Sequence, residues 1–429
     1  MRFKMTKEEK NWVLYDVGNS AFVLLVSTIM PIYFNYLSEK AGLSSVDYLA
    51  FWGYAASIVT IIVAFLGPVL GTVADTKGYK KPIFIITLLI GCIGCFLLGF
   101  IKQWLFFLIV FIIAKIGFSG SLIFYDSMLS DVTTPERVDH VSSQGYAWGY
   151  IGSCVPFVIC LGLVLGASKI GLSMEMSMII SFAIIALWWF CLTLPLLKTY
   201  KQKHYVERQP KAIANSFKRL GTTLKNIRKE KKIFLFLLAF FFYIDGVYTI
   251  IDMATAYGTA LGFESTSLLL ALLLTQVVAF PFAILFGRLA TKYNTSKLII
   301  ICILAYLGIS IFAIFLTKQW QFWVLAVLVG MFQGGIQSLS RSYFTKIIPS
   351  EKSGEYFGIY DICGKGASFM GTTVVGLASQ AFGSINIGIS AIVFLFLAGA
   401  LFFMKTEHSG SESTKNQENI VMGQQMFHN

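Results

Sequence analysis

Charged and amide side chains interrupt otherwise apolar stretches of this 429-residue chain at spacings that place them on single helix faces. Asp16, Asn19, Ser20 and Ser27 follow an i, i+3, i+4, i+11 pattern, and Lys115, Ser119 and Asp126 follow i, i+4, i+11. Asp245, Thr249 and Asp252 fall at i, i+4, i+7, Gln333, Gln337, Ser340 and Arg341 form a fourth stripe, and Asp361 and Lys365 stand one turn apart. An ionisable group inside an apolar helix is costly and normally faces a partner or a water-filled cavity. The chemistry available is therefore recognition of a polar solute and carriage of a proton. Asp245, about thirteen residues into its stretch, lies nearest the midplane. Burial favours the neutral form of a carboxyl group, which is what a proton-loading site needs. Lys115, about eleven residues in, is too deep to extend easily to a membrane surface. Asp16, Asp126 and Arg341 stand near helix ends, where two readings fit: a place in the pathway, or solvation and inter-helix salt bridges. Asp361 and Lys365 likewise fit either a pathway or mutual neutralisation.

Enzymatic chemistry has little to build on. There is no Walker loop, metal-ligand cluster or nucleophile–base motif, and His140, His204, His408 and His428 fall in loops or the tail. Cys92 and Cys95 have redox-like spacing, yet they sit in an apolar helix without other ligands, as buried small hydrophobes do. The chain is expected to be no enzyme and to use no cofactor or metal.

The elements that position these residues must span a membrane. Hydrophobic residues make up 56% of the chain, charged residues only 13%, and the mean hydropathy is +0.72. Soluble domains carry roughly 25% charged residues, so an ordinary soluble enzyme and a disordered chain are both excluded. A spanning helix needs about 20 apolar residues. Twelve segments qualify: 13–37, 50–74, 82–101, 104–127, 141–166, 174–197, 232–257, 265–291, 297–316, 320–345, 354–380 and 384–405. Residues 198–231 divide them into an N-terminal six-helix bundle (1–197) and a C-terminal one (232–405), followed by a polar tail, 406–429. The first apolar run has the length of a full span and is expected to be retained as the first helix.

Lys and Arg divide 28 to 4 between the two sets of loops, which predicts that both termini are cytoplasmic. Residues 198–232 alone hold twelve, facing only Glu207 and Glu230, and fit either an amphipathic surface helix or a solvated tether. The formal charge of +12 is thus topological, and no nucleic-acid partner is expected.

The halves repeat each other. Gly71-Thr72-Val73-Ala74-Asp75-Thr76-Lys77-Gly78-Tyr79-Lys80-Lys81 after the second span is answered, 216 residues on, by Gly287-Arg288-Leu289-Ala290-Thr291 and Asn294. Pro135 and Pro349 correspond at an offset of 214, and Asp16 near the first span has a counterpart in Asp245 of the seventh. Common order supports two parallel repeats about an axis along the membrane normal. Gly71 permits close helix approach, Gly78 a tight turn, and Asp75 can accept from a neighbouring helix N-terminus, while Lys80 and Lys81 are placed at the anionic cytoplasmic face.

Gly71, Asp75, Gly78, Lys80 and Lys81 resemble the cytoplasmic signature of the major facilitator superfamily. In that superfamily the signature is thought to stabilise the outward-facing state. The polar stripes fall on spans 1, 4, 7 and 10, which line the pathway in such transporters. A closer resemblance joins Trp12-Val13-Leu14-Tyr15-Asp16, Phe124-Tyr125-Asp126, Arg137, Val141-Ser142-Ser143, Gly145-Tyr146, Asp245-Gly246-Val247, Gln333-Gly334-Gly335, Gln337-Ser338, Ser340-Arg341-Ser342 and Gly364-Lys365. It is to the branch containing the autophagy-related vacuolar effluxers of fungi and their bacterial relatives. The resemblance implies a secondary transporter, its fungal members being associated with export of amino acids from vacuoles.

The expected function is export of a small polar, amino-acid-like solute by alternating access, coupled to protons or another ion. The chain is read as a monomer in a bacterial cytoplasmic (plasma) membrane, with the lipid bilayer as its other partner. A lipid or lipid-linked glycan flippase on the same fold is the alternative. A sensor that has lost transport is disfavoured by the intact first-half signature.

Overall fold

The computed structural model describes residues 4–207, 220–223, 225–383 and 385–426. Thr6 opens the first helix with a capping box: its hydroxyl accepts from the Glu9 N–H at 3.2 Å, and the Glu9 carboxylate accepts from the Thr6 N–H at 2.7 Å. This helix, α1 (Lys7–Ser27), breaks at Thr28, where the Ser27 and Thr28 hydroxyls turn back onto carbonyls of the preceding turn. Pro31 then brings no N–H to the ladder of α2 (Ile29–Lys40), which completes the first crossing.

The rest of the first half comprises α3 (Ser45–Ala74), α4 (Lys80–Leu98), α5 (Trp104–Ser127), the single turn α6 (Leu129–Val132), α7 (Val138–Leu165) and α8 (Met174–Thr199). The second half comprises α9 (Lys231–Ala260), α10 (Ser265–Leu289), α11 (Thr295–Ile314), α12 (Gln319–Ile347), α13 (Ser353–Phe382) and α14 (Ile385–Met426). Among the described residues, eleven helical stretches are long and apolar enough to cross a membrane. The helix α13, expected as one of twelve spans, is 30 residues long. The polar residues expected as a tail continue α14 as helix to Met426. Within the basic linker, 208–219 and 224 lie outside the described residues, and with them most of the expected amphipathic segment.

Packing inverts the pattern of a soluble protein. Phe65, Phe315 and Phe394 are among the most exposed large side chains, whereas Asp75, Lys80, Asp245 and Arg341 are buried. Such a surface suits hydrocarbon, and the helix contacts accordingly use small residues. The halves meet reciprocally: α3 of the first lies along α13 of the second, and α7 lies along α10 and α12. At the α3–α13 crossing the backbones touch. A Cβ on Gly71 would collide with the Gly354 carbonyl, and one on Gly358 would lie 2.7 Å from Pro68 Cα. Gly78, at φ 79°, makes the turn between α3 and α4.

Candidate functional site

Most of the polar stripes converge where the halves touch, at the end that the Lys/Arg distribution assigns to the cytoplasm. Arg341 of α12 reaches out of its own half into the first. Its Nη1 donates to Asp126 Oδ1 at 2.9 Å and lies 3.5 Å from Asp16 Oδ2; its Nη2 lies 3.4 Å from the same Asp16 oxygen. Ser142 of α7 accepts from Arg341 Nε on its hydroxyl and from Nη2 on its carbonyl, both at 3.0 Å. Three ring faces surround the guanidinium, with centroids 4.2 Å (Tyr146), 4.7 Å (Trp12) and 5.5 Å (Tyr125) from Cζ. The side chain of Arg341 is 2% exposed and that of Asp126 is 19%.

The helices fix this geometry. Trp12 and Tyr125 stack at 4.3 Å, and the Trp12 indole N–H donates to the Tyr125 carbonyl at 3.0 Å. The Tyr125 hydroxyl donates to Asp16 Oδ2 at 3.0 Å, and the Asn19 amide lies 3.4 Å from Asp16 Oδ1. Gly145 lets α7 approach: a Cβ there would stand 2.7 Å from Asp16 Oδ2 and 3.0 Å from Arg341 Nη2. For Asp16, Asp126 and Arg341 the inter-helix salt bridges of the second reading are present, whereas its solvation is not: Arg341 and Asp16 are buried and Asp126 is largely so. They form one buried ion cluster across the boundary, because their helix ends face the other half and not water.

The signature loop makes a second cross-half contact. Asp75 Oδ1 accepts from Gly354 N–H at 2.8 Å and Oδ2 from Glu355 N–H at 2.9 Å, so a carboxylate of the first half caps α13 of the second. Lys80, expected at the lipid surface beside Lys81, is instead fully buried. It donates to Ser353 Oγ at 2.8 Å and lies 3.7 Å from Asp75 and 3.6 Å from Asp131. The N-terminus of α13 and the turn α6 close over it; Lys81 remains half-buried at the surface.

Other expected residues lie apart from this end. Asp245 is buried in α9. Its Oδ1 accepts from Gly371 N–H at 3.0 Å and from Thr249 Oγ1 at 3.3 Å, while Oδ2 has no hydrogen-bond partner among the described residues. Gln337 accepts from the Tyr150 hydroxyl at 2.5 Å, again across the boundary. Gln333 lines a small pocket with Thr275, Gln276 and apolar residues of α9, α10 and α12. Lys115 lies over the rings of Phe118 and Phe22 at 4.9 and 5.9 Å. Ser20 packs against Gly149, and Asp252 is exposed. The side chain of Lys365 lies outside the described residues.

Sequence reasoning missed several contributors. Asp139 of α7 accepts from Ser342 at 2.6 Å, from Thr295 at 2.9 Å and from Lys346. Glu9 takes Arg137 in a two-pronged bond of 2.8 and 2.6 Å, tying α1 to the loop before α7. Residues 200–207 form a strap over the signature loop. Asp131 accepts from the Tyr200 hydroxyl at 2.6 Å and the His204 N–H at 2.8 Å, Gln202 bonds Ala74 and Gly78, and Val206 pairs with Thr76. These acids stand in or beside short loops, where spacing alone does not separate them from solvated charges.

Solved structures share this architecture. The human organic anion transporter MFSD10 superposes with a TM-score of 0.70 over 92% of this chain and 99% of its own, at 14% identity. The major facilitator FucP, in its outward conformation, gives 0.69 over 92% and 97%, at 16% identity. The fold is that of the major facilitator superfamily. A family model described as "Vacuole effluxer Atg22 like" matches residues 4–138 and 130–415. The MFS-type transporter YxiO of Bacillus subtilis (strain 168) is 41% identical over 424 residues, covering 98% of this chain and 99% of that protein. Autophagy-related protein 22-1 of Aspergillus fumigatus is 28% identical over 296 residues, 61% of this chain but only 46% of the fungal protein. The chain belongs to the Atg22-like family and is a multi-pass membrane transporter of the major facilitator type.

Proposed function

We propose that the protein exports a small polar, amino-acid-like solute by alternating access, coupled to protons, with Asp245 as the proton-loading carboxylate. The carrying observation is a set of contacts between the halves at one end. Arg341 to Asp16 and Asp126, Asp75 to α13, and Asp139 to Lys346 all join the halves at the same end. A cluster that closes one end of the pathway must break for the solute to pass there, which is the requirement of two bundles rocking about a central site. Asp245 supports the coupling: it is buried, and only one of its two carboxylate oxygens has a hydrogen-bond partner among the described residues.

In this reading all twelve long stretches cross the membrane, both termini are cytoplasmic, and the chain works as a monomer in a bacterial cytoplasmic membrane. The closed end is then cytoplasmic and the conformation faces outward. The acids, amides and Lys115 along α1, α5, α9 and α12 favour a charged or zwitterionic solute. Membership of the vacuole effluxer Atg22-like family supports efflux. The test is flux of a labelled amino-acid pool in proteoliposomes under a pH gradient. Wild type is expected to show gradient-driven flux and Asp245→Asn to lose it. Gradient-driven flux of undiminished rate in the variant would remove Asp245 from the coupling step.

A further inference from the structure

Among the described residues, the rings, carboxylates and serine that cage the Arg341 guanidinium come from the first half, and the guanidinium itself comes from the second. Trp12 and Asp16 stand on α1, Tyr125 and Asp126 on α5, and Tyr146 on α7, whereas Arg341 stands on α12. We propose that this cage is a binding site for an organic cation, a guanidinium or ammonium group of the transported solute, which replaces Arg341 when the cytoplasmic end opens. This inference rests on the alternating-access reading above.

The chemistry follows from what withdrawal of Arg341 leaves behind. Two carboxylates and three ring faces would lose their cation together. They then line the opened end as an anionic, aromatic recess, and an entering cation can take the place that Arg341 leaves. Carboxylates alone would accept any small cation, but ring faces select for a weakly hydrated one. The Ser142 hydroxyl and carbonyl accept two further N–H bonds, at 3.0 Å each, and so reward a group with several in-plane donors. Gly145 lets α7 come close to the head group, a Cβ there standing 3.0 Å from Arg341 Nη2. Arg341 thus acts as a tethered copy of the solute's head group, holding the cage closed until a free cation competes for it. Basic amino acids and their decarboxylated amines have the required head.

The probes are agmatine and the neutral N-methylurea, with binding measured on the full chain in nanodiscs. Arg341→Ala is expected to bind labelled agmatine at least tenfold more tightly than wild type does, and at least tenfold more tightly than it binds N-methylurea. Adding Asp126→Asn to that variant is expected to reverse the gain. Equal or absent binding of both probes by folded Arg341→Ala overturns the proposal. A cage that responds to pH but not to agmatine does so too, because protons would then be the replacement. If Arg341→Ala does not fold, Arg341→Lys, whose ammonium lacks the planar fork, is expected to raise agmatine binding at least threefold; no rise overturns the site. Proton-linked flux of neutral amino acids without agmatine binding would remove the cation site and leave the transporter reading standing. Agmatine binding without any flux would uphold the site and sink that reading.

Discussion

The carboxylate of Asp75 accepts the backbone N–H of Gly354 at 2.8 Å, joining the first half of the protein to the opening turn of α13 in the second. Both Asp75 oxygens are engaged, by Gly354 and by Glu355. A hydrogen bond to a charged group contributes about 1.5–3 kcal/mol. Asp75→Asn is therefore expected to shift the closed–open equilibrium towards opening by roughly tenfold or more, since about 1.4 kcal/mol is tenfold. Spin labels replacing Lys77 and Lys292, both exposed, report this, with the exposed Cys191 replaced by Ser. The distance distribution is expected to lengthen; an unchanged distribution contradicts the role of Asp75.

Gly71→Ala attacks the same contact sterically. The obstacle is the Gly354 carbonyl, which is main chain and cannot rotate away. Overpacking of this kind costs typically about 1–3 kcal/mol. The same label pair is expected to show the open population rise while thermal unfolding of each half is little changed. A population unchanged from wild type would mean that the helices do not meet here.

Asp139 and Lys346 offer a graded test. Asp139 serves Ser342, Thr295 and Lys346, whereas Lys346 is 28% exposed on its side chain. Asp139→Asn is expected to favour opening more than Lys346→Met does. The double variant should fall short of the sum, with a coupling of about 0.5–3 kcal/mol. Strict additivity would show that the pair does not interact in the membrane.

The strap of residues 200–207 is anchored through Asp131, which takes the Tyr200 hydroxyl and the backbone N–H groups of Lys203 and His204. Asp131→Asn is expected to speed amide exchange at Lys203, His204 and Val206 by about tenfold, consistent with a charge-assisted bond replaced by a neutral one. Unchanged exchange would assign the strap to Gln202 instead.

The spans were legible because hydrocarbon tolerates so few polar groups, and helix boundaries agree with the apolar runs to within a few residues along most of the chain. The polar stripes were legible for the same reason. Which residues meet was not. Arg341 pairs with Asp16 and Asp126 over sequence separations of 325 and 215, set by how two bundles register against each other. Lys80 looked like a surface base because its sequence neighbours are polar, yet Ser353 and Asp131, both distant in sequence, enclose it. Asp131 and Asp139 lie in or next to turns, where a carboxylate is ordinary.

Direct proton counting tests the central claim. Proteoliposomes holding a trapped pH dye are given an amino-acid gradient with no imposed pH difference. Downhill solute movement is expected to shift the internal pH in wild type and to leave it unmoved in Asp245→Asn. Solute flux in wild type without any pH change would contradict proton-coupled transport, whatever the fate of the variant.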